Sequence, residues 1–369
     1  MQWSAPKWGW LERHWVEAGV KYKRIEGDLD PKSNSCRKIK TGSVLDAIGR
    51  SKWCFTQVEQ LLKLAEDDIL NDYDTIYFDD FWHPGIEALA YGFHLMNIKP
   101  KMYAWCHAQS VDEFDFTYPM RFWMRNFEKG IGKILDGVFV NSQVLGDLLL
   151  HNNIATQIQI HKVGHVFCSE EVKERMGWDL LFSSRQNRVV FSSRWDKEKN
   201  PEFFLKVAAE VLLKRPNTQF VICTSFDKLK SNNLSLIVLL KTYLDMYPHN
   251  IILKEGLSKE EYYKELCEAK IQINTADQDF ISIALLEAST AGCYPVYPFF
   301  RSFPEAFDND YSFMYEHKNL TSASEKVIRI LDQDDLWTPE KITARAWIHE
   351  KHDSTWKRML NIMNIKGVK

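Results

Sequence analysis

A chain of 369 residues is too long for one ordinary core, which predicts two domains of about 150–200 residues each. Hydrophobic content of 45%, charged content of 26% and a net charge of −3 are globular values, and they exclude a protein that coats nucleic acid through bulk charge, though not one with a local basic patch. The 7 cysteines are scattered, odd in number and never spaced CxxC, no run approaches about 18 apolar residues, and no signal-peptide pattern opens the chain, so a disulfide framework, a zinc site and stable membrane insertion are not expected and a cytoplasmic protein is.

Short apolar strands alternate with amphipathic helices, the pattern of parallel α/β sheets. In the first half, strands are predicted at 20–27, 75–80, 101–106, 137–142 and 158–164, with helices near 43–69, 84–96, 119–129 and 142–152. Ligands of open α/β sheets bind beyond the carboxyl ends of the strands, so the residues that follow each strand matter most. Asp79, Asp80 and His83 follow the second strand and His107 follows the third. The two aspartates suit the orienting or deprotonating of an acceptor hydroxyl, and equally an acidic metal pair. The two histidines suit a site or a satisfied structural position. Further on, YPMRFWMRNFEKGIGK (118–133) carries Arg121, Arg125, Lys129 and Lys133 at four-residue spacing, interleaved with Phe122, Trp123 and Phe127. On a helix this is a basic stripe drifting by about 40° per step, with Gly130 and Gly132 expected to end it. Such a face fits phosphates and splayed-out bases, or a plain solvated helix surface.

The first domain is read as 1–175 and a polar linker as 176–187, within the irregular stretch 173–187. A second series follows, with strands at 188–193, 218–225, 250–256, 271–276 and 294–298, and helices at 201–214, 259–268 and 282–291. It makes a domain of 188–340, followed by a helical end at 341–369; the stretch 321–365 reads helical and ends basic. After the first of these strands, Arg194, Lys199 and Asn200-Pro201 at a helix start make an anion site or an ordinary charged loop. Thr224 and Ser225 are strand-end hydroxyls. Gly256-Leu257 allow close backbone approach or a simple turn, and Ser258 with Glu261 reads as a capping box. In DFISIALLEASTAGCYPVYP (279–298), Asp279 precedes a helix whose first unpaired N–H groups are expected at Phe280, Ile281 and Ser282. Glu287, eight residues on, falls near Asp279 if the turn between them is helical. It is embedded among apolar residues, and a buried carboxylate needs partners.

SSRWDKEKNPEFFLKV (192–207) followed by DFISIALLEASTAGCYPVYP resembles the retaining, group-1 type glycosyltransferases of GT-B fold. The resemblance implies an α/β protein of two Rossmann-like domains facing a central cleft, with C-terminal helices crossing back to the first domain. It implies that Arg194 and Lys199 hold the donor diphosphate, that Asp279 takes the place of the first motif glutamate near the sugar, and that Glu287 binds the ribose. The backbone around Gly256-Leu257 would meet the nucleobase, with Thr224 and Ser225 nearby, and His107 would lie close to the reacting sugar. No metal and no other cofactor would be required, because Arg, Lys and helix N-termini stabilise the departing diphosphate. LLEASTAGCYPVYP and FPEAF, together with AWCHAQ and DGVFVNS, look most like the tRNA-queuosine mannosyltransferase branch. The chain departs from the family at Asp279, at Ser282 where Gly is usual, and at its start, where Trp8-Gly9-Trp10 stand in place of a glycine-rich loop. The expected function is transfer of a sugar, with retention, from a UDP- or GDP-sugar to an acceptor hydroxyl. The acceptor is a modified nucleic-acid base (hydroxymethylpyrimidine in phage DNA, with a virus-encoded enzyme acting in the host cytoplasm, or queuosine in tRNA), or else a glycan or metabolite. On the nucleic-acid reading, Trp8, Gly9, Trp10, His83, Arg121 and Arg125 contact it. A non-catalytic protein that binds nucleotide-sugar or nucleic acid is the alternative.

Overall fold

The computed structural model describes residues 5–28, 47–108, 110–115, 117–176, 184–231, 233–307, 309–333 and 348–365. The chain divides into two compact units, Met1–Phe167 with Ser354–Lys369, and Cys168–Asp353.

In unit 1 the elements run α1 (Ala5–Glu17), α2 (Ala47–Glu66), β1 (Thr75–Phe78), α3 (Ile86–Leu95), β2 (Lys101–Trp105), α4 (Arg121–Ile134), β3 (Gly137–Val140), α5 (Gln143–His151) and β4 (Ile160–Lys162). The four strands form one parallel sheet in chain order, with Thr75 opposite Lys101, Tyr103 opposite Gly137 and Val138 opposite Ile160. β3 is buried at every position, as an inner parallel strand covered on both faces should be.

Two expectations fail here. Residues 20–27 form no strand. Two of their carbonyls are taken by side chains of α2 in place of a strand ladder, Gln57 Nε2 donating to Ile25 O at 2.7 Å and Gln60 Nε2 to Glu26 O at 2.7 Å. Gly130 and Gly132 do not end α4, which runs on to Ile134. Gly132 serves packing instead: a Cβ there would lie 1.8 Å from the Ile154 carbonyl oxygen.

Unit 2 runs α6 (Ser169–Met176), β5 (Gln186–Phe191), α7 (Pro201–Lys214), β6 (Gln219–Cys223), α8 (Leu234–Met246), β7 (Ile251–Lys254), α9 (Lys259–Glu268), β8 (Ala269–Ile273), α10 (Ile283–Thr290), β9 (Tyr294–Phe299), β10 (Met314–Glu316) and α11 (Leu320–Leu331). Its parallel sheet has the order β10-β9-β8-β5-β6-β7. Counted from β5 this is the 3-2-1-4-5-6 arrangement of dinucleotide-binding folds, whose strand order reverses between β5 and β8. α7 covers the sheet with Phe203, Phe204, Val207, Ala208 and Val211, at helical spacing. Burial of each large apolar side chain contributes roughly 1.5–3 kcal/mol.

The stretch read as irregular from 173 begins inside α6, and 186–187 already belong to β5; residues 177–183 lie outside the described residues. Sequence reading missed α6, α8 and β10. In α8 the outward Leu234 and Val238 are as apolar as the inward Leu236 and Leu240, which blurs the helical period. The region 321–365 is not one helix. α11 ends at Leu331, a π-turn spans Ile348–His352, and α12 (Thr355–Ile362) follows. α12 returns to unit 1, where Thr355 Oγ1 and Arg358 Nη2 donate to Val163 O at 2.8 and 2.6 Å and Trp356 stacks on His14. The expected crossing back of the C-terminal helices is met by this one. Among the described residues no helix is long and apolar enough to cross a membrane. The six described cysteines are buried and not disulfide-bonded; Cys36 lies outside the described residues.

Candidate functional site

The order reversal in unit 2 brings together the loops that follow β5 and β8. Trp195 anchors the first of them, buried and donating from Nε1 to Leu236 O at 3.0 Å. Its neighbour Arg194 is thereby left half-buried at the rim, paired with Glu198 and 3.9 Å from Asp196. The 3₁₀ turn Lys197–Lys199 then leads to Asn200, whose φ of 48° is left-handed and whose side chain caps α7 by accepting from Phe203 N, with Pro201 next. The second loop is stitched to carbonyls of the first: Thr275 Oγ1 donates to Lys199 O at 3.0 Å and to Asn200 O at 3.1 Å, and Asp277 N to Glu198 O at 2.8 Å.

Lys199 is buried. Its Nζ donates to Gln278 O at 2.7 Å and lies 3.5 Å from Asp279 Oδ2. Asp279 is the more exposed partner, and its carbonyl accepts from Ser302 Oγ at 3.0 Å. α10 starts at Ile283, next to the expected 282, with Ser282 as its N-cap. Ser282 Oγ accepts from Asn274 Nδ2 at 3.1 Å and so does not cap the helix. Consequently, among the described residues, no protein acceptor takes a hydrogen bond from the backbone N–H of Phe280, Ile281, Ser282, Ile283 or Ala284. This open run is longer than expected, and part of it precedes the helix. Unpaired amides at a helix start, with a lysine beside them, are suited to anionic oxygen.

Glu287 belongs to a second cluster. Because Asp279 precedes the helix, the helical spacing between the two does not apply. Glu287 is 3% exposed, in the second turn of α10. The partners that its burial demands are Lys259 Nζ at 2.6 Å and Tyr263 OH at 3.0 Å, both on Oε1. Burial, then the neighbouring carboxylate, pushes the Tyr263 hydroxyl far above its usual range, so it stays a donor. Sequence reading missed Lys259 and Tyr263. The signal was present: the capping box of Ser258 and Glu261 forms and fixes the start of α9, which puts Lys259 and Tyr263 four residues apart on one face.

Thr224 Oγ1 accepts from Phe226 N, and Thr224 O accepts from Leu257 N at 3.1 Å. Between them Gly256 holds φ +68°, a turn that favours glycine, with Leu257 half-buried and Ser225 exposed.

The unit 1 candidates are bound up with one another. Asp80 accepts from Arg50 Nη2 at 2.5 Å and from Trp82 N at 2.9 Å. Burial pulls its pKa up, but Arg50, helped by His107, outweighs this and holds it below the usual carboxylate range. Tyr77 OH donates to Asp79 Oδ1 at 3.1 Å, and His107 Nε2 lies 3.0 Å from Asp79 O. His83 Nε2 meets Gln57 Oε1 at 3.1 Å, and burial lowers its pKa to about 4. Trp8, Gly9 and Trp10 form no loop: they lie in α1, with Gly9 exposed and Trp10 buried edge-on against Phe167 at 5.0 Å. Arg121 is sandwiched between the rings of Tyr118 and Phe122, at 4.1 and 4.3 Å. Arg125 Nε is a buried atom with no hydrogen bond among the described residues. Phe122 and Trp123 are 79% and 61% exposed. The sequence reading passed over Glu128, which is fully buried between Arg125 and Lys129. It accepts from Ser110 N (2.9 Å), Ser110 Oγ (2.7 Å) and Trp82 Nε1 (2.8 Å), and burial raises its pKa. Its spacing from the buried Met124 and Ile131 marks the inner face of α4.

A family model described as glycosyl transferases group 1 matches residues 172–347. The tRNA-queuosine alpha-mannosyltransferase of Drosophila melanogaster is 28% identical over 123 residues, 33% of this chain and 31% of the relative, so the match spans less than a third of that relative's length. Among solved structures, that of an S. aureus TarM mutant in complex with Fondaparinux, alpha-GlcNAc-glycerol and UDP gives a TM-score of 0.61 at 16% identity, covering 84% of this chain and 59% of that one. Anabaena Alr3699/HepE in complex with UDP-glucose gives 0.60 at 10% identity, covering 84% and 82%. A UDP-forming alpha,alpha-trehalose-phosphate synthase from Burkholderia xenovorans gives 0.61 at 12% identity, covering 84% and 79%. The fold is therefore that of the GT-B proteins, and the match to the glycosyl transferases group 1 model lies within unit 2.

Proposed function

We propose that this chain is a retaining glycosyltransferase that moves a sugar from a nucleotide-sugar to an acceptor hydroxyl. The observation that carries the reading is the run of unpaired amides from Phe280 to Ala284 beside Lys199, at the strand-order reversal of a dinucleotide-type sheet. In the proposed reaction the bond from the sugar C1 to the donor diphosphate breaks and a bond from C1 to the acceptor oxygen forms. The acceptor proton goes to an oxygen of the departing phosphate. Charge grows on that diphosphate as the bond breaks. Lys199, Arg194 and the open amides are the groups that stabilise it, Arg194 by exchanging its carboxylate partners for phosphate. Asp279, held by Lys199, is the proposed contact to the sugar, and Glu287 to the ribose. The Gly256-Leu257 turn, with Thr224 and Ser225, is the proposed base contact. No cofactor is required in this scheme.

For the acceptor we propose a modified base in nucleic acid. The name of the Drosophila relative supports a hydroxylated tRNA base, and so does α4, with Arg121, Arg125 and the exposed Phe122 and Trp123 as the contacting face. His107 is the unit 1 residue proposed to lie near the reacting sugar. Asp79 and Asp80 act as positioning residues rather than as a base, since Arg50 occupies the Asp80 carboxylate and lowers its proton affinity.

The test is incubation of the protein with UDP- and GDP-sugars and either queuosine-containing tRNA or hydroxymethylated DNA. A mass gain of one sugar residue on the base, abolished in Lys199→Ala and Glu287→Ala, is expected. Wild-type turnover in both variants would overturn the donor assignment. Sugar transfer to neither nucleic acid, with donor still consumed in the presence of glycans or metabolites, would overturn the acceptor assignment.

A further inference from the structure

Glu287 has two carboxylate oxygens in unlike surroundings. Oε1 receives both Lys259 Nζ and Tyr263 OH. Oε2 accepts no hydrogen bond among the described residues, yet it is not sealed from solvent. A nearly buried carboxylate with one oxygen tied and the other open is an oriented acceptor. Its direction is set by whatever grips the tied oxygen.

Lys259 is an unusual choice for that grip. It is the first residue of α9, where the helix dipole disfavours a cation, and the two residues after it, Glu260 and Glu261, are the acids that such a position favours. Its own side chain is 45% exposed while that of Glu287 is 4% exposed. The ammonium therefore reaches from the surface onto a buried group 28 positions away, at a cost in side-chain freedom. It also lies 5.4 and 5.3 Å from the ring centres of Tyr262 and Tyr263, within cation–π range. Tyr262 is fixed in turn, its hydroxyl donating to Ser192 Oγ at 3.0 Å, directly after β5. Capping box, aromatic pair and ion pair all fix one geometry at Glu287.

We propose that Lys259 and Tyr263 are positioning residues that hold Oε1 of Glu287 so that Oε2 faces the vicinal hydroxyls of a ribose, which makes the site select ribonucleotides over 2′-deoxyribonucleotides. The inference rests on the reading above that Glu287 contacts the donor ribose. A carboxylate free to rotate accepts from one hydroxyl or from water with similar ease. A carboxylate held at one oxygen distinguishes a diol from a single hydroxyl, because losing the second hydroxyl leaves a fixed acceptor unpaired.

The test is calorimetric binding of UDP and 2′-deoxy-UDP, and of GDP and 2′-deoxy-GDP, to the full chain. Wild type is expected to prefer the ribonucleotide by about tenfold, the size of one well-made hydrogen bond to a charged group. In Lys259→Met the preference falls to about twofold or less, and Lys259→Arg retains it. Tyr263→Phe, which conserves volume, lowers the preference by roughly threefold and decides the matter if Lys259→Met fails to fold. A purely structural role for Lys259 would weaken both nucleotides equally and leave the ratio intact. Retention of the wild-type ratio in Lys259→Met, or in Tyr263→Phe where that variant alone folds, overturns the proposal while leaving the donor site standing. If wild type shows no preference and Glu287→Ala binds UDP and GDP like wild type, the donor reading itself falls, and this inference with it.

Discussion

The carboxyl edges of the two sheets carry similar residue types in different states. In unit 1, Asp79, Asp80, His83 and His107 sit at the ends of β1 and β2 and meet Tyr77, Arg50, Gln57 and backbone groups of the same unit, although the buried Nδ1 of His83 makes no hydrogen bond among the described residues. In unit 2 the cations and acids at the ends of β5 and β8 are also paired, but five consecutive amides and one oxygen of Glu287 make no protein hydrogen bond among the described residues. Charged side chains after a strand therefore do not by themselves distinguish the two edges. What sets the unit 2 edge apart is a run of consecutive backbone amides that the fold leaves unpaired.

The largest test of that contrast is Lys199→Ala. Removing a cation from the open edge should lower kcat/KM for sugar transfer by about 10²–10³-fold. Steady-state kinetics read this, and a loss of less than about threefold would place Lys199 outside the chemistry. The matching change in unit 1 is Glu128→Ala, which strips the partner from Ser110 and from the Trp82 indole. Leaving buried donors unpaired should cost about 2–4 kcal/mol in urea unfolding, with nucleotide affinity unchanged. A change in nucleotide Kd with stability intact would reverse the comparison.

A third test uses pH. His83 has a folded pKa of about 4 against an ordinary 6.5, lowered by burial. The unfolded chain therefore takes up a proton that the folded chain refuses. Stability should fall as pH drops from about 6.5 to about 4, by up to about 3 kcal/mol, and level off with respect to this group below that. Denaturation curves of His83→Gln should lack this acid slope. Smallest in stability are Phe122→Ala and Trp123→Ala on the outer face of α4. Both should leave the unfolding midpoint within about 0.5 kcal/mol while weakening tRNA or hydroxymethylated-DNA binding, read by filter retention or anisotropy at fixed salt. Unchanged nucleic-acid affinity in the double variant would remove α4 from the acceptor side.

Much of unit 2 was legible in the residues alone. Helices 201–214 and 259–268 start and stop where proline, the capping box and the apolar period predict, because those signals are local. The embedding of Glu287 among apolar residues correctly announced burial and a need for partners. Legibility failed where a distant segment answers a local need. Residues 20–27 read like a strand, but the carbonyls of Ile25 and Glu26 bond side chains of α2. Trp10 stands beside a glycine as if in a loop, yet it packs into the core against Phe167. Glu128 reads as one more surface charge in a basic stripe until Ser110 and Trp82 close around it.

The sequence by itself determined the α/β class, the split into two units, the placement of most strands and the residue types at the carboxyl edge of the unit 2 sheet, since periodicity, caps and turn residues act over a few positions. Only the tertiary structure decided that β5 and β8 are neighbours, that the unpaired amides run on from Phe280 to Ala284, and that Lys259 and Tyr263 grip one oxygen of Glu287 and leave the other open. The grip on Glu287 joins groups 24 and 28 positions apart along the chain. Such pairings follow from how parallel strands order themselves in a sheet and from the need to satisfy buried polar groups, neither of which is written in any single stretch of residues.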